Sequence, residues 1–90
     1  MFYYTYVLKC ILPSGESTLY IGHTSDLKKR LYDHQTKSTK TTMKFDQIEL
    51  VYYEACRSNT DAIRREKSLK TGFGRAYLKN RLESYLNKRV

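Results

Sequence analysis

The sequence has no tryptophan, a single proline and two cysteines. Cys10 and Cys56 are too few and too far apart for a zinc ribbon or a disulfide scaffold, so both are expected to be reduced core residues. No apolar run approaches the length of a membrane span, and the start MFYYTYVLK lacks the basic opening and small-residue cleavage site of a signal peptide. A cytoplasmic location is the expectation. There is no internal repeat, low-complexity run or linker, and 90 residues, 40% of them hydrophobic, suffice for one compact domain over 1–90 with a modest core.

Acidic residues are scarce as well, with 9 Asp and Glu against 17 Lys and Arg, a net charge of +8. The excess is uneven. Residues 57–90 hold 10 basic and 3 acidic residues, a net +7, whereas residues 1–56 hold 7 and 6, a net +1. A polyanion is the expected partner: nucleic acid, whose phosphates release counterions when neutralised, or, as a competing reading, an anionic membrane surface. Nine tyrosines favour groups that hydrogen-bond or stack.

Residues 2–12, FYYTYVLKCIL, are aromatic and β-branched, and alternation places Tyr4, Tyr6, Leu8 and Cys10 on one face of a first strand. Pro13-Ser14-Gly15-Glu16 carries turn chemistry, and Thr18–Gly22 returns as the second strand of a hairpin across which Tyr6 and Tyr20 can meet. Gly22 permits a sharp turn there, Ser25 and Asp26 open a helix, and Leu27, Leu31 and His34 share its inner face with Arg30 at the edge. An inner stripe with two cations is an odd way to build a core. Thr36–Lys44 is polar and aperiodic, an exposed loop that either closes over a phosphate backbone or is a plain connector. Ile48–Cys56 alternates as a third strand. Ser58 and Asp61 resemble a capping box for a helix running to about Lys70, with Gly72 as its left-handed cap; Leu78, Leu82, Tyr85 and Leu86 stripe a last helix over roughly 75–88. The order is ββαβαα, an α+β domain with a three-stranded antiparallel sheet.

Within the second helix Glu66 falls in the middle of the apolar face formed by Ala62, Ile63 and Leu69. Such a carboxylate is costly unless it is paired or holds a metal. The ordinary alternative is a half-buried ion pair with a neighbouring Lys or Arg. Two tyrosines across a hairpin, an Arg with a His one turn on, and an inward Glu nevertheless form a set able to cleave a phosphodiester. Arg binds the non-bridging oxygens, a carboxylate holds a divalent cation, and a hydroxyl or imidazole takes the proton of the attacking water.

These residues resemble the GIY-YIG nuclease family, in particular its small stand-alone members and the N-terminal catalytic module of the excision-repair nuclease subunit. Tyr20-Ile21-Gly22 matches the second signature tripeptide in full, and Tyr4-Thr5-Tyr6 matches the first only at Tyr6. Arg30 and His34 keep the family's R-x-x-x-H arrangement, Glu66 sits where the family places its metal-binding carboxylate, and the basic stretch RREKSLKTGFGRAYLKNRL also resembles the short members. The resemblance implies a metal-dependent DNA endonuclease, connected with repair, with one Mg²⁺ or Mn²⁺ held by Glu66 and water. Tyr20 or His34 would help activate the water, Tyr6 would orient the nucleophile or phosphate, and Arg30 would stabilise developing charge. His23 stands where some relatives have Lys, and either replaces that base or contacts phosphate. Further phosphate contacts fall to Lys28 and Lys29, to Lys37 and Lys40 in the loop, and to Lys70, Arg75 and Lys79. The alternative is a non-catalytic or partner-dependent module that binds DNA or RNA on the same scaffold, with no membrane role.

Overall fold

The computed structural model describes residues 1–36 and 44–87. Its elements are β1 (Tyr3–Ile11), β2 (Ser17–Thr24), α1 (Leu27–Gln35), β3 (Gln47–Cys56), α2 (Asn59–Leu69), α3 (Gly72–Arg81) and α4 (Glu83–Leu86). The sheet is antiparallel in the order β2-β1-β3, so the most apolar strand lies in the centre and is covered on both sides. Tyr6, Leu8 and Cys10 point to one face and pack with Phe45 and with Leu27 and Leu31 of α1. Val7 points to the other, packing with Ile21, Leu69 of α2 and Leu78 of α3. Thr5, on this second face, donates to the Ala62 carbonyl at 2.9 Å and ties β1 to α2. The expected α+β order ββαβαα is present.

Several local expectations are corrected. β2 runs straight through Gly22 to Thr24, and the one positive-φ glycine among the described residues is Gly15, at φ 95° in the hairpin. Asp26, not Ser25, caps α1 by accepting from the Lys29 amide at 3.1 Å. Ser58 stands at the N-cap of α2 without a side-chain capping bond. Gly72 opens α3 instead of closing α2; Lys70 ends α2 in right-handed geometry, and Thr71 caps α3 by accepting from the Gly74 amide. The last helix breaks at Leu82, which re-aims Tyr85 so that its hydroxyl donates to Glu49 of β3 and its ring lies under the Lys9 ammonium. Both cysteines are free, Cys10 buried and Cys56 half-buried. Of the polar stretch Thr36–Lys44, expected either to close over a phosphate backbone or to be a plain connector, residues 37–43, with Lys37 and Lys40, lie outside the described residues. No helix among the described residues is long and apolar enough to cross a membrane.

A polar brace holds the second face. Arg65 of α2 donates twice to Glu54 of β3, at 2.9 Å from Nε and 2.9 Å from Nη2, and Tyr52 donates to the same carboxylate at 2.8 Å. The Arg65 guanidinium stacks 4.9 Å from the Tyr77 ring centroid of α3, so three elements share one charge pair. Burial alone would raise the Glu54 carboxyl, but these hydrogen bonds outweigh it and keep it ionised below its ordinary value.

Candidate active site

β1 fixes the centre of the site because Tyr6 lies on its α1-facing side, 2% exposed. Its hydroxyl lies 2.8 Å from His34 Nε2 and 3.4 Å from Arg30 Nε, both on α1. A guanidinium N–H can only donate, so the Tyr6 oxygen accepts from Arg30 and its own proton is best directed at the His34 ring nitrogen. Arg30 and His34 are one helical turn apart, which is why a single helix supplies both. Tyr20 does not face Tyr6 directly; Tyr6 pairs with Gly22, and Leu8 with Tyr20. The two tyrosines meet on the diagonal, with ring centroids 6.4 Å apart, and Tyr20 also meets the His34 ring edge-on at 5.2 Å.

Gly22 makes this possible. A Cβ on Gly22 would stand 2.5 Å from the Tyr6 hydroxyl oxygen and 2.6 Å from Cζ, so the phenol end lies where a side chain would otherwise be. The last glycine of the tripeptide is required by close approach, and the sequence reading of a turn missed that. Cross-strand register was the signal that could have found it, because an even offset places Gly22 opposite Tyr6.

The titration states follow from the surroundings. Burial, and then repulsion by the Arg30 guanidinium, push the His34 imidazole below its ordinary value, with Asp33 opposing. His34 is therefore a neutral, fully buried ring, not the second cation expected on the inner stripe. Burial likewise raises the Tyr6 phenol against the opposing Arg30 hydrogen bond, and the charges of Tyr20 and Glu66 add to the rise. Tyr6 is thus a proton donor at neutral pH.

The His34 shift has a consequence for stability. An unfolded imidazole titrates near 6.5, and the folded one lower, so between the two values the unfolded chain binds more protons. The stabilisation is complete above about pH 6.5 and is lost as pH falls toward the folded value. Thermal melts should show Tm falling between about pH 7 and pH 5, before the lowered carboxylates Glu54 and Glu66 begin to protonate. His34→Gln, which keeps a polar partner for Tyr6 but carries no charge, should flatten that slope; an unchanged slope would mean that His34 is not its source.

Glu66 and His23 form the second half of the site. Neighbours on β2 point to opposite faces, so Gly22 faces Tyr6 and His23 faces α2. There the His23 Nδ1–H donates to Glu66 Oε1 at 2.5 Å, and the Lys70 ammonium donates to Oε2 at 2.6 Å. Burial would raise the Glu66 carboxyl, but the bonds from Lys70 and His23 outweigh it and keep it ionised. The ion pair weighed from the sequence is therefore present, with Lys70 as partner. Glu66 is also near enough to Tyr6 for its charge to oppose, weakly, the ionisation of the phenol.

The donor set suits one kind of metal. No group of three or more His, Cys, Asp or Glu side chains able to hold an ion occurs among the described residues, which disfavours a closed zinc-type cage. A lone ionised carboxylate fits a hard divalent cation that keeps most of its waters, and the Lys70 ammonium already marks that position with positive charge.

The expected phosphate contacts do not form one surface. Lys28 and Lys29 lie exposed on α1, on the Tyr6 side, where Lys29 pairs with Asp33. Arg75 and Lys79 lie on α3, on the opposite side, where with Lys9, Leu19 and Ile21 they line a cleft of about 600 Å³ beside β2. That cleft contains none of the five site residues and so lies outside the site.

The fold and these side chains define a small α+β domain that gathers tyrosines, an arginine, a histidine and a carboxylate about one edge strand. Residues 2–81 match the model of the GIY-YIG catalytic domain. The chain belongs to the GIY-YIG family. It is similar to a UPF0213 protein of Bacillus pumilus, 39% identical over 70 residues that span 77% of this chain and 67% of the relative. UPF0213 proteins of Streptococcus agalactiae and Streptococcus pyogenes serotype M3 are each 41% identical over 68 residues, spanning 74% of this chain and 73% and 70% of theirs. No solved structure matches.

Proposed function

We propose that the protein is a metal-dependent endonuclease that hydrolyses DNA phosphodiester bonds at the edge of β2. The observation that carries this reading is the Tyr6 hydroxyl held jointly by Arg30 and His34, with an ionised Glu66 within electrostatic reach. When bound at Glu66, Mg²⁺ or Mn²⁺ would supply charge neutralisation of the phosphate and acidify water.

The remaining chemistry belongs to the chain. Arg30 stays charged and directs its guanidinium at the place where negative charge develops on the phosphoryl oxygens. Tyr6, kept protonated by burial, orients the phosphate or the nucleophile through its hydroxyl. His34, fully buried, acts as a positioning residue, through its bond to the Tyr6 hydroxyl and its edge-on contact with the Tyr20 ring. Proton removal from water then falls to Tyr20, which is half-buried and whose ring meets those of Tyr6 and His34, with His23 as the alternative. Lys28, Lys29, Lys70, Arg75 and Lys79 supply phosphate contacts on the two sides of the sheet.

Arg30→Ala should lower the single-turnover cleavage rate by roughly 10²-fold while DNA binding changes little, since its role is exercised on developing charge. Equal losses in rate and affinity would assign Arg30 to ground-state binding instead. A second reading, a binding module without catalysis, is favoured by the engagement of both Glu66 oxygens by Lys70 and His23. Salt-dependent DNA binding without cleavage in either ion would support it.

A further inference from the structure

Both oxygens of Glu66 are engaged, and the two donors differ in kind. His23 donates to Oε1 through one ring N–H from the edge strand β2, a bond that an uncharged imidazole is able to make. The Lys70 ammonium donates to Oε2 at 2.6 Å and brings a full positive charge. Lys70 follows Glu66 by four residues, the order in which a carboxylate and an ammonium best support a helix end. The Glu66 side chain is 17% exposed and that of Lys70 50%, so the cation reaches the carboxylate from the solvent side.

The backbone at Lys70 is tied down, whereas its side chain is free to turn. The Lys70 amide donates to the Glu66 and Lys67 carbonyls at 3.2 Å, and α3 starts two residues on behind the Thr71 cap. The ammonium ends a flexible four-carbon stem and leaves Oε2 by side-chain rotation alone. A pair this open to water is held by no more than about a fivefold preference. A divalent ion at Glu66 would meet the ammonium as a like charge and drive it outward, the direction from which a DNA phosphate must arrive. The phosphate then offers the ammonium a second anionic acceptor. Capture of Lys70 by phosphate must in turn favour the metal by the same factor, because such coupling is reciprocal.

We infer that Lys70 is an exchangeable counter-cation of Glu66: a divalent metal displaces its ammonium, a DNA phosphate takes the ammonium up, and metal and DNA therefore bind with positive coupling. This rests on the reading of Glu66 as the metal-holding group of a nuclease, and it is tested without cleavage.

The experiment follows Mn²⁺ binding to the full chain by the paramagnetic resonance signal of the free ion. DNA binding is read from the anisotropy of a labelled duplex whose phosphorothioate linkages resist hydrolysis. Lys70→Met, which keeps a stem and removes the charge, should bind Mn²⁺ about tenfold more tightly than wild type. Lys70→Arg should restore wild-type affinity. Lys67→Met takes the same charge from an exposed position on α2 and should change Mn²⁺ affinity less than about twofold. On the duplex, Lys70→Met should trail wild type by a gap about fivefold wider in Mg²⁺ than in EDTA. Mn²⁺ affinity that Lys70→Met leaves unchanged or weakens, or an equal gap in EDTA and Mg²⁺, would overturn the inference; a wild type that still cleaves would keep the nuclease reading. Both expected shifts in a wild type that cleaves nothing would uphold the exchange and remove the nuclease reading.

Discussion

Glu66→Ala is expected to abolish plasmid nicking in Mg²⁺ or Mn²⁺, a rate loss of about 10³-fold or more, while leaving the fold intact. Among the described residues Glu66 is the acidic side chain whose charge acts on Tyr6, and if it holds the metal, its removal forfeits several kcal/mol of transition-state stabilisation. The structural cost is small by comparison. Glu66 accepts from His23 and Lys70, whose side chains are 38% and 50% exposed and can turn to water once released. Loss of these half-exposed pairs should cost about 1 kcal/mol or less. Circular dichroism melts should therefore lie within about 5 °C of wild type, and Mn²⁺ titration should show weakened binding. A large drop in Tm would instead make Glu66 a structural residue.

Gly22→Ala should damage both stability and activity through one methyl group. The added Cβ would need the space held by the Tyr6 hydroxyl and Cζ, at 2.5 and 2.6 Å. Tyr6 is buried between strands and α1, so its ring can yield only by disturbing Leu8, Phe45 or the bond to His34. Overpacking of this kind costs about 1–3 kcal/mol, which corresponds to a Tm lower by about 5–15 °C in a domain of this size. Displacing the hydroxyl should also reduce cleavage about as far as Tyr6→Phe does. Because both substitutions act on the same oxygen, their effects on rate should be far from additive in the double variant. Full additivity would mean that Gly22 acts by some route other than Tyr6.

Legibility in the sequence followed the range of the physics involved. Alternation in residues 2–12 placed Tyr6, Leu8 and Cys10 on one face, and the structure keeps them in one cluster. The helical phase of Glu66 against Ala62 and Leu69 identified a half-buried carboxylate, with a Lys partner among the alternatives weighed. What escaped depended on contacts distant in sequence or on competing caps. The role of Gly22 depends on the cross-strand position of Tyr6, and the neutrality of His34 on how completely α1 buries it. Glycine commonly ends helices, which points to Gly72 as a cap, but Thr71 supplies a capping oxygen and the chain re-enters a helix at once. The break at Leu82 goes with a bond from Tyr85 to Glu49, a contact 36 residues away that local periodicity does not register.

The most direct test of the nuclease reading is a cleavage panel in which the full chain, with Glu66→Ala beside it, meets plain duplex, branched, flap, damaged and single-stranded DNA. Each is assayed with Mg²⁺, with Mn²⁺ and with EDTA. The account predicts metal-dependent strand scission of at least one substrate by wild type and none by Glu66→Ala. Absence of cleavage on every substrate with either ion, or equal cleavage by Glu66→Ala, would contradict it.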